Sequence, residues 1–260
     1  NVMELFAELR GSGDTAYDVR LCTTLIDAFS LRGLLEPLQE VMAWAQRRAL
    51  PLPDQSLVQY ARCLIKVDPP QLRQAEDQLL QLEGAAGVPF DELVAPYVLL
   101  LSRFVEIGQP SEAWRVFLEL RARALTRLAS APVSSPSPSP SPSQGPPAIT
   151  PLPSVLYSSA MLALSHAASE PDATLLLQYM KEDGVTLTED ILASAITTYR
   201  RARREPAAWK LFEQWAASHD PTFVSVVALC AARGASAPAA GAGADAGADA
   251  GTADASHHPS

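Results

Sequence analysis

The stretch Leu21-Cys22-Thr23-Thr24-Leu25-Ile26-Asp27-Ala28-Phe29, followed by Gly33, decides the fold class of this chain. Its apolar residues recur at helical spacing, and Gly33 is the type of residue that commonly ends a helix in the left-handed conformation. A second apolar helix begins at Glu36-Pro37, where proline is tolerated because the first N–H groups of a helix have no intrahelical partner. Together they predict a helical hairpin that closes at Pro53-Asp54, with Asp54 as the N-cap of the next helix.

The same hairpin recurs along the chain, and a proline opens the second helix each time. The openings are Pro37, Pro70, Pro110, Pro171 and Pro206. Their mean spacing is about 36 residues once the 26-residue excess of one long interval is removed, and such a period is typical of helical repeat arrays. The sequence therefore predicts an all-α fold, a right-handed α-α superhelix (solenoid) of helix-turn-helix repeats of about 35–36 residues.

Four segments follow from this pattern. Residues 1–126 are predicted to hold a partial first repeat and three further repeats, and residues 154–234 hold two more repeats and one terminal helix, Phe223 to Cys230. Residues 127–153 form a Pro/Ser-rich insertion, and residues 235–260 form a Gly/Ala/Asp tail. Both are predicted to be disordered, because prolines disfavour helix and the tail has few large apolar residues. The insertion is interpreted as a tolerated loop or as a Ser-Pro phosphorylation or docking segment.

Composition argues against several classes of function. The chain carries 20 basic and 29 acidic residues, a net charge of −9, which disfavours a sequence-independent nucleic-acid binder. Its three cysteines are scattered, without disulfide or zinc-ligand spacing. With no HExxH motif and no Gly-rich phosphate loop, we expect no enzymatic activity, no metal, no cofactor and no small-molecule substrate. No apolar run reaches about 18 residues, so we expect no membrane span.

With hairpins of about 36 residues, the chain resembles the pentatricopeptide repeat family. The resemblance is best in Leu21–Asp54, and the family's second-helix pattern recurs in 113–120, 176–185 and 208–213. It implies a protein that binds single-stranded RNA, about one base per repeat, and that acts in RNA processing, stability or translation. It also implies an organelle, mitochondrion or chloroplast, and a longer protein of which this chain, which starts in helical register without Met, is a fragment.

The resemblance further implies which residues touch RNA bases. One is a polar residue on the first helix, two before the Leu-Ile pair, and the other lies at the end of the repeat. Thr23 and Ser158 fit the first position, Gln59 is assigned to it in the second repeat, and Asp54 fits the repeat end. The apolar residues assigned elsewhere, Val98 and Ala193, cannot hydrogen-bond a base edge, so at most two repeats are expected to read sequence.

Basic clusters leave two interpretations open. Arg200, Arg201, Arg203 and Arg204 at the end of a first helix are predicted to contact phosphate or an acidic partner, or else to form a solvated helix end that complements the helix dipole. Arg121, Arg123 and Arg127 carry the same two interpretations. Trp114 and Trp209 occupy equivalent second-helix positions and are predicted to pack rather than stack on bases.

A second function stays open beside RNA binding. The chain is alternatively a non-catalytic protein–protein scaffold, for example a subunit of an organellar ribosome or another complex. Net acidity and the apolar Val98 and Ala193 favour this alternative, whereas the repeat resemblance favours RNA.

Overall fold

The computed structural model describes residues 15–84, 88–130 and 152–217. Within these ranges the chain forms ten helices and no strand. The helices are α1 Thr15–Arg32, α2 Leu35–Arg47, α3 Asp54–Lys66, α4 Leu72–Gly84, α5 Phe90–Glu106, α6 Pro110–Ser130, α7 Ser154–Ala167, α8 Glu170–Glu182, α9 Glu189–Arg201 and α10 Glu205–Ala216. None of these helices is long and apolar enough to cross a membrane.

The helices pair into five hairpins, which we number repeats 1 to 5. Each first helix (α1, α3, α5, α7, α9) packs against the second helix of its own repeat and against the first helix of the next repeat. The first helices therefore form one continuous layer, and the second helices cover its other side. Consecutive first helices begin 36 residues apart at Asp54 and Phe90 and 35 apart at Ser154 and Glu189. This arrangement confirms the predicted α-α solenoid and its repeat length.

A pair of adjacent buried residues on each first helix forms the centre of every repeat. Burying each large apolar side chain contributes about 1.5–3 kcal/mol, and the helical spacing of these residues brings them to one side of the helix. In repeat 1 the pair is Leu25 and Ile26, with Phe29 buried one turn later. The equivalent pairs are Tyr60–Ala61, Leu100–Leu101, Ala160–Met161 and Ala195–Ile196.

Tyrosine hydroxyls join the first helices of repeats 2 to 5 to a second helix, which belongs to the same repeat for Tyr60 and Tyr157 and to the preceding repeat for Tyr97 and Tyr199. The Tyr97 hydroxyl donates to the carboxylate of Glu83 at 3.0 Å, and burial raises the pKa of Tyr97 to about 12. A tyrosine buried in this way needs a partner for its hydroxyl, and a residue on or at the end of a neighbouring second helix supplies it each time. The other pairs are Tyr60–Gln74, Tyr157–Asp183 and Tyr199–Thr174.

The turn between the first and second helices repeatedly uses a left-handed backbone conformation. Gly33 and Gly108 adopt φ values of 66° and 78°, as the sequence predicts for glycine at a helix end. Ala168 and Arg203 occupy the same kind of turn with φ values of 53° and 59°. A side chain with Cβ is strained there, by about 1–2 kcal/mol, so these two turns are less well suited to their residues.

Two helix ends, the C-terminal end of α6 and the N-terminal end of α3, differ from the sequence prediction. Helix α6 continues to Ser130, so the predicted start of the insertion at residue 127 falls inside a helix. The extension is held because the Arg127 guanidinium carbon lies 4.9 Å from the centre of the Phe90 ring and pairs with Glu83. Asp54 is the first residue of α3, and Pro53 takes the N-cap position predicted for it. The predicted helices before residue 15 and at Phe223 to Cys230, most of the insertion and the tail lie outside the described residues.

Ion pairs connect the second helices of repeats 2 and 3. The Arg115 guanidinium donates to both carboxylate oxygens of Glu76, at 2.7 and 2.9 Å, and this hydrogen bonding raises the pKa of Arg115. Arg73 pairs with Glu112 at 2.7 Å, and Arg123 pairs with Glu83 at 3.1 Å. Because hydrogen bonds between charged groups are short and directional, these pairs fix how α6 lies relative to α4.

A buried charged contact joins repeats 3 and 4 across the long insertion. Arg121 on α6 donates from Nε and Nη2 to Asp183 at 2.7 and 2.8 Å, and the Tyr157 hydroxyl donates to the same carboxylate at 2.6 Å. The Arg121 guanidinium also lies 3.8 Å from the centre of the Tyr179 ring. The solenoid is therefore continuous on both sides of residues 131–151. Arg121, Arg123 and Arg127 are all engaged in intramolecular contacts, which favours their structural interpretation over a phosphate contact.

Candidate nucleic-acid interface

Each first helix exposes one side that points away from its second helix. Superposing the five first helices on their buried pairs defines three rows of residues on this side, which we name the first-helix face. The middle row is Thr24, Gln59, Leu99, Ser159 and Ser194. One turn later come Asp27, Arg62, Ser102, Leu162 and Thr197, and then Leu31, Lys66, Glu106, His166 and Arg201. The middle row is polar in four of the five repeats, so the layer presents one polar side chain per repeat there.

The predicted base-contact residues lie on or beside this face. Thr23 and Ser158 are half-buried and come one residue before the middle row, whereas Gln59 is in that row. The turn that follows each first helix closes on Phe29, Leu64, Phe104, Leu164 and Tyr199, and this sets the register. The residues equivalent to Thr23 are therefore Val58, Val98, Ser158 and Ala193. Gln59 lies one residue after its predicted position, because Tyr60-Ala61 replaces the Leu-Ile pair in repeat 2. The RNA contacts of Thr23, Gln59, Ser158 and the half-buried Asp54 remain predictions.

The hydroxyl groups of this region are oriented as acceptors. Thr23 Oγ1 donates to the carbonyl oxygen of Val19 at 2.9 Å, and Ser158 Oγ donates to that of Ser154 at 3.3 Å. In the middle row, Thr24 and Ser159 donate to the carbonyls four residues earlier, at 2.9 and 3.0 Å. A hydroxyl has one proton, so these oxygens have only lone pairs to offer a ligand. They suit the amino and imino N–H groups of a nucleobase rather than a phosphate oxygen.

The four arginines of the predicted cluster differ in their intramolecular contacts. Arg201 Nη1 donates to the carbonyl oxygen of Ser165 at 2.5 Å, and Arg204 Nε donates to Glu170 at 3.0 Å. These two arginines join repeat 5 to repeat 4. Arg200 and Arg203 form no ion pair with any residue of the described ranges, and Arg203 and Arg204 lie beyond the end of α9. Arg200 and Arg203 therefore have the least engaged guanidinium groups of the four, and the phosphate or acidic-partner contacts of all four arginines remain predictions.

The tryptophans separate into buried and partly exposed residues. Trp114 is 8% exposed and stacks on Phe117 with ring centroids 5.5 Å apart, as predicted for a packing residue. Phe117 in turn contacts Tyr157 of the next repeat edge to face at 5.2 Å. Trp209 is 40% exposed, although it occupies the equivalent position. Both lie on second helices, away from the first-helix face.

The sequence analysis did not identify the middle row as a set, although the sequence contains a signal for it. It consists of the residue immediately before each buried pair, and the pair itself is only recognisable once the helices are aligned in space. In the described part of the chain, no group of three or more His, Cys, Asp or Glu side chains is placed to hold a metal ion.

No protein-family model matches the chain, and no curated protein sequence matches it. Among solved structures, it is similar to the pentatricopeptide repeat protein PPR10 from maize, with a TM-score of 0.56 and 20% identity over 88% of this chain and 27% of that chain. It is also similar to PPR10 in complex with an 18-nt psaJ RNA element, with a TM-score of 0.52 and 19% identity over 90% of this chain and 32% of that chain. The chain thus spans about a third or less of these proteins. Its fold is that of the pentatricopeptide repeat solenoid.

Proposed function

We propose that this chain binds single-stranded RNA along its first-helix face and acts in the processing, stability or translation of transcripts in an organelle, mitochondrion or chloroplast. The observation that carries the proposal is the continuous layer of first helices with one polar side chain per repeat in its middle row. A single strand of RNA offers one base at regular intervals, and a repeated helical layer can meet it with one residue per repeat. The likeness to a solenoid crystallised with an RNA element supports the same conclusion.

Different residues serve bases and phosphates in this proposal. Thr23 and Ser158, with Gln59 in the middle row and Asp54 at the repeat end, contact base edges. The acceptor oxygens of Thr23 and Ser158 receive N–H groups of the bases. Arg200 and Arg203 contact phosphates, because their guanidinium groups have no ion pair within the described residues. Since few phosphates are neutralised by a chain of net charge −9, we expect a shallow dependence of affinity on salt.

A second candidate function is a protein–protein scaffold within an organellar complex such as a ribosome. The first-helix face also carries exposed apolar side chains: Leu31 is 89% exposed and Leu162 is 42% exposed. Apolar residues on a surface are typical of protein contacts, and the apolar Val58, Val98 and Ala193 cannot hydrogen-bond a base.

The experiment is a titration of labelled single-stranded RNA of random sequence with the full chain, followed by fluorescence anisotropy over a KCl series. Arg200→Ser and Arg203→Ser should each reduce the slope of log affinity against log salt by about 0.7. Arg47→Ser is the matched control, since Arg47 is exposed on second helix α2 and the charge change is identical. Binding that is absent at micromolar protein, or affected equally by all three variants, would overturn the RNA proposal. Fractionation of cells that express the native protein tests the organelle.

A further inference from the structure

A pocket of about 470 Å³ lies between the turns of repeats 1 and 2, at the edge of the solenoid where first helices end and second helices begin. We name it the turn pocket, and its lining residues are Gly33, Leu34, Leu35, Glu36, Pro37, Gln39, Val67, Asp68, Pro69 and Gln71. None of them belongs to the first-helix face or to the predicted base-contact and arginine sets. A ligand of the turn pocket therefore does not depend on RNA binding.

The turn of repeat 2 is longer than the other four, and its extra length forms one wall of the pocket. In the other repeats the backbone N–H that closes the turn donates to the carbonyl five residues earlier, as Leu34 does to Phe29 in repeat 1. In repeat 2 the closing bond runs from Gln71 to Leu64, seven residues earlier. The residues Asp68-Pro69 of this longer turn line the pocket, so repeat 2 has a wall that the shorter turns do not provide.

Each wall of the turn pocket carries one carboxylate without an ion pair. Glu36 belongs to repeat 1 and Asp68 to repeat 2, and both are exposed. Neither forms an ion pair within the described part of the chain, and the lining residues include no Lys, Arg or His. The pocket is therefore an anionic site that lacks a cation of its own.

The junction between repeats 4 and 5 shows how an internal cation occupies the same edge. There Arg204, which closes the turn of repeat 5, donates from Nε to Glu170 at 3.0 Å. The equivalent residues between repeats 1 and 2 are Gln71, which closes the turn of repeat 2, and Leu35, the first residue of α2. An arginine from another molecule can therefore supply at the turn pocket the positive charge that Arg204 supplies at the other junction.

Amide and apolar groups complete the turn pocket. Gln39 Nε2 donates to Gln71 Oε1 at 2.9 Å, which leaves an acceptor oxygen on Gln39 and an amide donor group on Gln71 for a ligand. These two groups match the N–H and C=O groups of a peptide backbone. Leu34 is 43% exposed, and Leu35 and Val67 are half-buried, so the pocket also offers apolar contact.

We infer that the turn pocket binds an extended segment of a partner protein in which an arginine is next to a large apolar side chain. The guanidinium group lies between Glu36 and Asp68, because its planar fork of N–H donors can serve two carboxylates at once. The apolar side chain packs against Leu34 and Val67. The backbone of the segment pairs with the amide groups of the two glutamines.

The occupant is a partner protein because the remaining segments of this chain carry few cations. Outside the described residues, the sequence contains no Lys and only two arginines, Arg10 and Arg233. The Pro/Ser-rich residues 131–151 contain neither Lys nor Arg. The net charge of −9 also favours a basic partner over a second copy of this chain.

The test measures the fluorescence anisotropy of a labelled peptide, Gly-Ser-Leu-Arg-Leu-Ser-Gly, titrated with the full chain at low salt. Glu36→Gln/Asp68→Asn should weaken binding of this peptide about 5- to 10-fold, because it removes two partly exposed charge contacts. The matched control is Glu40→Gln/Asp77→Asn, which removes two carboxylates from exposed positions on α2 and α4 outside the pocket and should leave the affinity unchanged. Leu34→Ser, which keeps both carboxylates, should weaken this peptide but not a peptide with Ser in place of both leucines.

Several outcomes would overturn this inference. They are no binding of the peptide at about 1 mM, equal affinity for wild type and Glu36→Gln/Asp68→Asn, and equal binding of a peptide with Glu in place of Arg. Self-association in sedimentation velocity that Glu36→Gln/Asp68→Asn abolishes would assign the pocket to a second copy of this chain instead of a partner.

RNA binding by the same variants separates this inference from the proposed function. Glu36→Gln/Asp68→Asn and its matched control should bind single-stranded RNA with equal affinity, because neither changes the first-helix face. A wild-type chain that binds the peptide but no RNA supports the turn pocket and refutes the proposed function. A chain that binds RNA but not the peptide refutes the turn pocket alone.

Discussion

Asp183→Ala tests directly how the solenoid continues across residues 131–151. The Asp183 side chain is 4% exposed and receives two hydrogen bonds from Arg121, itself 12% exposed, and one from Tyr157. Removing one partner of a buried ion pair costs about 3–5 kcal/mol, because the other charge stays buried without compensation. Arg121 keeps its contact with the Tyr179 ring and a 3.3 Å contact with Glu182. We therefore expect a loss of about 3 kcal/mol in the free energy of unfolding.

The assay is equilibrium unfolding in urea, since guanidinium chloride would screen the ion pair. Circular dichroism follows all helices, and tryptophan fluorescence reports Trp44 and Trp114 in repeats 1 and 3 together with Trp209 and Trp215 in repeat 5. Stability of a repeat array is a sum of repeat and interface terms, so a weaker interface between repeats 3 and 4 should also broaden the transition.

Glu182→Ala is the matched control for Asp183→Ala. Its side chain is 48% exposed and touches the same arginine, so its removal should cost less than about 0.5 kcal/mol. In a double-mutant cycle, Arg121→Ala and Asp183→Ala should be strongly non-additive, because each removes the partner of the other. Equal stability losses for Asp183→Ala and Glu182→Ala would refute the reasoning.

Two further predictions concern the turns and the core. Ala168→Gly should raise the free energy of unfolding by about 0.5 kcal/mol, whereas Gly33→Ala should lower it by about 1 kcal/mol through its positive φ alone, as no atom lies within 4 Å of the added Cβ. Urea unfolding measures both changes. A loss of stability in Ala168→Gly, or a gain in Gly33→Ala, would contradict the strain assigned to the turns. Burial raises the pKa of Cys22 from 9.0 to about 11, so the stability from its protonated thiol is present below pH 9 and is lost between pH 9 and 11, by about 2–3 kcal/mol. Cys22→Ala should make the free energy of unfolding less dependent on pH between 9 and 11. An unchanged pH dependence in this variant would contradict the role of the Cys22 thiol.

The sequence predicts the repeat because the repeat is a local property. The apolar spacing of Leu25, Ile26 and Phe29 and the left-handed Gly33 are set by helix geometry within one hairpin, and the structure has both. The extension of α6 to Ser130 depends instead on Phe90 and Glu83, which are about 40 residues away in sequence. No periodicity contains that information.

The candidate site was predictable only in part, for the same reason. Arg200, Arg201, Arg203 and Arg204 are equivalent as a sequence cluster, and the division between them depends on the carbonyl of Ser165 and the carboxylate of Glu170 in another repeat. Side-chain spacing within a helix can be read from sequence, but the register between helices cannot.

The two layers of the solenoid are joined by different kinds of contact, which has a mechanical consequence. First helices pack closely on one another, whereas the second helices of repeats 2 and 3 are linked by long side chains such as Arg73–Glu112 and Arg115–Glu76. Bending therefore leaves the length of the first layer almost fixed and stretches or compresses the second. The resistance of this strip to bending therefore includes ion pairs, of which the exposed Arg73–Glu112 pair is weakened by salt, whereas the pair of Arg115 with the buried Glu76 is weakened less, so we expect its stiffness to fall as ionic strength rises.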